Sequence, residues 1–186
     1  MSIIDETGIA RYETVEKIEQ MRALSPLLNA QLDEERYLFA HAEFLMRFSR
    51  DKNTVSAVLD FWATTSGIDV IAAYSGNHKV GFIATQVKHD VYYGQEINMA
   101  EIVSVYVIGI FRRKGVATKL LSLASTRLSR QGVSLMTISR PIENNVLRNL
   151  YKKFGVELVC VHTQKLLTSK YSERSGNDGE IIENKY

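Results

Sequence analysis

The amino-acid sequence predicts an α/β fold built on a mixed sheet with helices packed on it, and three observations carry that expectation. Apolar residues in the first third recur at helical spacing. From Ile68 the period changes to β-rich runs, two of them joined by the hairpin signal Ser75-Gly76-Asn77-His78-Lys79. A run at Glu101 to Ile110 is apolar on both faces, as a central strand is, and beyond it helical and strand patterns alternate as far as His162.

Each element has its own signal. Val15, Ile18, Met21 and Leu24 mark a first helix, and Tyr37, Ala40, Phe44 and Phe48 a second, with Ser25-Pro26 separating them. A third helix runs from Asn53 to Thr64, with Val55, Val58, Leu59 and Trp62 on one face, and ends at Ser66-Gly67. No strand is placed ahead of these helices. Val70 to Tyr74 and Val80 to Ala84 form the hairpin, and the polar stretch Lys88 to Asn98, which holds Tyr92-Tyr93-Gly94, is expected to be a linker. After Gly115, Ala117, Leu120, Leu121, Ala124 and Leu128 line one face of a helix that Gly132 stops. Val133 to Ile138 is a short strand. Asn144 caps a helix buried on Leu147, Leu150, Tyr151 and Phe154 and ended by Gly155, and Val156 to His162 is the last strand. From Ser169 onward the polar, glycine-containing sequence is expected to be disordered. The result is one domain over residues 1–168, helical over 1–67 and sheet-forming over 68–168, with a tail at 169–186.

With 186 residues, 45% hydrophobic and 24% charged, the chain can bury a core without a disulfide or a structural metal. A single cysteine, Cys160, and the acidic start Met1 to Glu6 point to a reducing compartment, so the cytoplasm is the expected location. The longest apolar stretch, Ile102 to Phe111, is interrupted by Ser104 and Gly109 and falls short of the roughly 20 residues a membrane helix needs. His41, His78, His89 and His162 show no paired ligand spacing, and no metal site is expected. The net charge of +2 hides an asymmetry, for residues 1–100 sum to −5 and residues 101–186 to +7. An anionic ligand would be drawn to the second half, where nucleic acid and a phosphorylated co-substrate both qualify.

Arg112-Arg113-Lys114-Gly115-Val116-Ala117 lies between the central strand and the following helix. Open N–H groups at a helix start, the helix dipole and three cations favour an anion there. Gly115 lets a pyrophosphate approach where a Cβ would block it. The absence of a G-K-[ST] pair argues against a nucleoside triphosphatase, and the absence of G-x-G-x-x-G against a dinucleotide fold.

This turn resembles the acetyl-CoA pyrophosphate motif R-x-x-G-x-A of the GNAT superfamily of N-acetyltransferases. Asn144 followed by Leu150-Tyr151-Lys152-Lys153-Phe154-Gly155-Val156 resembles that family's second signature, and the likeness extends over residues 68–166. The resemblance implies a GNAT-like, mostly antiparallel twisted sheet with helices on both faces and a pair of central strands splayed by a β-bulge. It implies acetyl-CoA as co-substrate, held at its pyrophosphate by the amides of Arg112, Arg113, Lys114, Gly115, Val116, Ala117 and Thr118. The pantetheine would pair with the backbone around Val105, Tyr106 and Val107 and touch Asn144, with Lys153 also on the co-substrate side. Tyr151 matches the position whose hydroxyl protonates the departing thiolate, and Glu101 looks like the catalytic base of the histone-acetylating branch. The chain departs from the family pattern at Gly109, where proline is usual, at Leu147, where a small residue is, and at Val156, where phenylalanine is. The implied activity is acetyl transfer from acetyl-CoA to a primary amine, of a small molecule or of a protein lysine or N-terminus, by direct attack in a ternary complex. Asp33, Glu34, Glu35 and Asp90 would suit a cationic acceptor.

The same residues have plainer readings. The turn can be a solvated basic loop, Glu101 a strand-end charge, Tyr151 a core tyrosine and Cys160 a small core residue. The competing classes are a catalytically inactive interaction module of the same fold and a nucleic-acid binder. The second ranks last, because the basic residues gather at a helix start and do not interleave with exposed aromatics. A homodimer is admitted among the partners; a membrane is not.

Overall fold

The computed structural model describes residues 11–38, 54–92, 94–138 and 149–152. Their strands form one sheet in the order β1 (Arg11–Thr14), β2 (Ile68–Ser75), β3 (His78–Tyr92), β4 (Gln95–Val107) and β5 (Leu135–Ile138). The first four pair antiparallel, and β5 joins β4 in parallel after a helical crossover. The sheet is thus mixed and mostly antiparallel. Helices α1 (Ile18–Arg22), α2 (Ser25–Leu38) and α3 (Thr54–Thr64) pack on one face, and α4 (Val116–Arg130) on the other.

Two cores follow from this layering. Leu24, Leu59, Trp62, Val70 and Phe82 meet under α1 to α3, whereas Ile83, Ile102, Val116, Leu120 and Leu121 meet under α4. The apolar stripes read for α3 and α4 are the faces that bury. On the α4 side, Arg127 reaches the sheet, where its Nε donates to Asp69 at 2.8 Å and its Nη1 donates to the Thr14 hydroxyl. Burial pushes the Asp69 carboxyl up, against the opposing pull of Arg127.

Three expectations are corrected and one is met. The first 67 residues are not purely helical, since Arg11–Thr14 is an edge strand paired with Ile71 to Tyr74. Four residues with alternating exposure and no apolar run leave almost no strand signature. Ser25-Pro26 does separate two helices, as expected, for α1 ends at Arg22 and α2 opens at Ser25, with Pro26 in the first turn where its missing N–H costs nothing. The stretch Lys88 to Asn98 is not a linker: Lys88 pairs with Met99 and His89 with Asn98, in a hairpin whose many polar residues leave no regular apolar alternation to mark the strands. Finally, β4 stops at Val107, and Gly109–Phe111 is a 3-10 turn. The expected helix face at Ala40, Phe44 and Phe48, the cap at Asn144, the strand at Val156 to His162 and the tail lie outside the described residues.

Two features of β4 leave part of one of its edges open. Ala84 pairs with Ser104 and Thr85 with Ile102, so Val103 is the extra residue of a β-bulge. The parallel pairing with β5 runs only from Met99 to Ile102. Beyond the bulge, no described strand pairs with that edge of β4. On its other edge the contact with β3 is close, and a Cβ on Gly81 would stand 2.8 Å from the Tyr106 carbonyl oxygen. Among the described residues, no helix is long and apolar enough to cross a membrane.

Candidate active site

The end of β4 leads through the 3-10 turn into residues Arg112 to Gly115, all of them exposed. Arg113 has φ 62° and Gly115 φ 82°, both left-handed, a backbone pattern that turns successive N–H groups toward one side. Glycine takes that conformation freely, whereas Arg113 bears about 1–2 kcal/mol of strain. Gly115 is the N-cap of α4, and no described side chain caps it; no acid lies in the first turn either. Among the described residues, the first N–H groups of this 15-residue helix therefore meet no side-chain acceptor, and no acid of the first turn compensates the positive end of its dipole.

The residues of the turn divide by what they offer. Val116 is buried in the core and has only its amide to give, while Thr118 is exposed and Ala117 half-buried. The Lys114 ammonium lies 5.2 Å over the Phe111 ring, and Arg113 forms no ion pair among the described residues. Arg112 turns back instead. Its Nε donates to the Val107 carbonyl at 2.7 Å, its Nη2 donates to Glu34 Oε2 at 2.5 Å, and its guanidinium stacks 5.4 Å over the Tyr106 ring.

Tyr106 completes the cluster by donating its hydroxyl to Glu34 Oε1 at 2.8 Å. Burial, helped by the neighbouring Glu34 carboxylate, pushes the Tyr106 hydroxyl up to about 12. One helical turn earlier, the Ser104 hydroxyl donates to Gln31 Oε1 at 2.7 Å, and Gln31 Nε2 donates to Glu35 at 2.8 Å. Two polar rungs thus bolt α2 to the last residues of β4. Glu34 and Glu35, read from the sequence as acids open to a cationic acceptor, already have partners. The role of Glu34 and Gln31 toward β4 was not legible in the sequence. Gln31, 5% exposed, is a polar residue on an otherwise apolar helix face, and it is the signal that could have pointed there.

Val105, Tyr106 and Val107 are the buried end of β4 beyond the bulge. Val105 and Val107 face α4, and Tyr106 faces α2. Glu101 pairs with Gln86 in the ladder, and its carboxylate receives the Lys88 ammonium. With Ile102 in the α4-side core, strand alternation puts Glu101 on the α2 side. Tyr151 is buried on the α4 side, in the cluster that holds Val105 and Val107. Glu101 and Tyr151 therefore belong to opposite faces of the sheet, and Glu101 lies in the stretch of β4 that still pairs with β5. Asn144 and Lys153 lie outside the described residues. Among the described residues, no group of three His, Cys, Asp or Glu is arranged to hold a metal.

A strand edge open beyond a bulge, running into an uncapped helix start ringed by cations, can bind a long ligand with an amide arm and an anionic head. Comparison with known proteins identifies the family and the fold. The family model described as the acetyltransferase (GNAT) family matches residues 27–156. An aminoglycoside acetyltransferase from an uncultured soil metagenomic sample, solved with trehalose, superposes with a TM-score of 0.66 at 17% identity, over 89% of this chain and 99% of its own. A ribosomal-protein-alanine N-acetyltransferase from Brucella melitensis gives 0.62 at 15% identity, over 84% and 99%. An aminoglycoside acetyltransferase bound to the bisubstrate analogue CoA-S-monomethyl-acetylneamine gives 0.59 at 15% identity, over 88% and 99%. No curated protein matches by sequence.

Proposed function

The chain belongs to the GNAT acetyltransferase family, and from that premise we propose that it transfers the acetyl group of acetyl-CoA to a primary amine by direct attack in a ternary complex. The observation that carries the proposal is the continuity of the open edge of β4 past Val103 with the uncapped, cation-ringed start of α4. Pantetheine amides can extend the ladder along Val105 to Val107, and the amides of Arg113 to Thr118 can cradle the pyrophosphate. That a neighbour of the same fold binds CoA joined to an acetylated aminoglycoside supports a geometry in which both substrates are held together.

In this mechanism the amine nitrogen attacks the thioester carbonyl carbon, and amides of the β4 edge stabilise the developing oxyanion. The C–S bond then breaks. The proton lost by the amine passes to Glu101, directly or through water, and the Tyr151 hydroxyl protonates the departing thiolate. The acceptor is an amine-bearing small molecule, or a lysine or N-terminus of a protein. Glu101 already carries the Lys88 ammonium, with which a cationic acceptor would have to compete.

Titration of the purified protein with acetyl-CoA in a calorimeter, with Gly115→Glu as control, tests the reading. Saturable binding lost in the variant, followed by CoA release on a panel of polyamines, aminoglycosides and peptides, is the expected result. Binding without release on any amine would favour the inactive interaction module; no binding in either protein would remove the co-substrate.

A further inference from the structure

We propose that Glu34, on α2, is a positioning residue for the co-substrate, whose carboxylate fixes the Arg112 guanidinium at the mouth of the anion turn and so sets the affinity for acetyl-CoA. The inference rests on the acetyl-CoA reading above, and adds to it a residue from a helix that carries neither of the two motifs. A guanidinium presents five donors in a planar fork. Here Nε is spent on the Val107 carbonyl, Nη2 on Glu34, and one face on the Tyr106 ring. The Arg112 side chain nevertheless stays 42% exposed, so the guanidinium is held and still accessible. Glu34 is itself held, because the Tyr106 hydroxyl occupies its second oxygen.

A free arginine has to give up rotamer entropy when it grips an anion, whereas one already fixed has little left to lose. Without Glu34, Arg112 keeps the Val107 carbonyl and its contacts with Tyr106 but loses its one ion pair among the described residues. The opposite view treats Glu34 as a competing negative charge beside a phosphate site. The two views differ in sign: positioning predicts that removing the carboxylate weakens acetyl-CoA binding, and competition predicts that it tightens it.

The test is a double-mutant cycle read by acetyl-CoA calorimetry on the full chain. Glu34→Gln should raise Kd about tenfold, as loss of a hydrogen bond to a charged group does. Combined with Arg112→Gln it should add nothing further, because Glu34 acts through Arg112. Unchanged or tighter binding by Glu34→Gln, or losses that simply add in the double variant, would overturn the proposal. If Glu34→Gln does not fold, Tyr106→Phe decides, since it frees one oxygen of Glu34. A two- to threefold rise in Kd, about 0.5 kcal/mol, upholds the proposal, and an unchanged Kd refutes it. Absence of acetyl-CoA binding by the wild-type protein is a separate failure, that of the co-substrate reading itself.

Discussion

Substitution at Gly115 carries two penalties that fall on different measurements. Its φ of 82° and ψ of −3° are left-handed, and a Cβ there costs about 1–2 kcal/mol. That strain is the same with or without a ligand, so it falls on folding, as a melting shift of about 2–8 °C for a chain of this size. Gly115→Ala carries the strain and a methyl group at the approach to the cradle. Gly115→Glu carries the same strain and adds a negative charge. Placed about 5 Å from a phosphate, at an effective dielectric between roughly 20 and 80, that charge is opposed by about 1–3 kcal/mol, or about 5- to 150-fold in Kd. Thermal unfolding and acetyl-CoA titration of the wild type and both variants read the two penalties separately. The alanine and glutamate variants should melt together and bind apart. Equal affinities in the two variants would refute the reasoning, for the position would not then face the anion.

Other consequences are open to measurement. Gly81→Ala should destabilise the fold by about 1–3 kcal/mol in denaturant unfolding, because its methyl would stand 2.8 Å from the Tyr106 carbonyl oxygen and must part β3 from β4. Tyr106 ionises at about 12 when folded against 10.0 unfolded. The stability it contributes is therefore complete below pH 10 and lost as the pH rises toward about 12, and Tyr106→Phe should flatten that part of an alkaline unfolding series. Glu101→Gln and Tyr151→Phe should each lower kcat by about 10²- to 10⁴-fold while leaving acetyl-CoA affinity near that of the wild type. Unaltered turnover in either variant would take that residue out of the chemistry.

What the sequence revealed follows from how strongly each element is patterned. The α4 stripe Ala117, Leu120, Leu121, Ala124 and Leu128 is a full amphipathic face, and it reads directly. The hairpin at Gly76-Asn77 reads equally well, being a short turn between β-rich runs. β1 was hidden because an edge strand of four half-exposed residues need bury nothing. The outer part of β3 and β4 was hidden because its many polar residues leave no regular alternation of apolar ones. At the site, the turn from Arg112 to Ala117 was legible because its chemistry is local in sequence. The link from Glu34 to Tyr106 and Arg112 was not, because its partners stand 72 and 78 residues away, and only the packing of α2 on β4 brings them together.

That link also changes the meaning of the charge asymmetry. An acidic first half and a basic second half suggest two surfaces turned toward two partners, yet Glu34–Arg112 and Asp69–Arg127 each join an acid of the first half to a base of the second. Part of the asymmetry is thus complementarity within the fold. Arg113 and Lys114, which form no ion pair with any described residue, stand at the turn itself, where their charge can draw in an anionic head group from solution. At Glu101 the balance is reversed. Glu101 is already matched by Lys88, so an acceptor ammonium that approaches it meets a like charge first. On the proposed mechanism the lysine has to swing aside or the proton has to travel through water, and Lys88→Ala should therefore lower the acceptor KM without changing the affinity for acetyl-CoA.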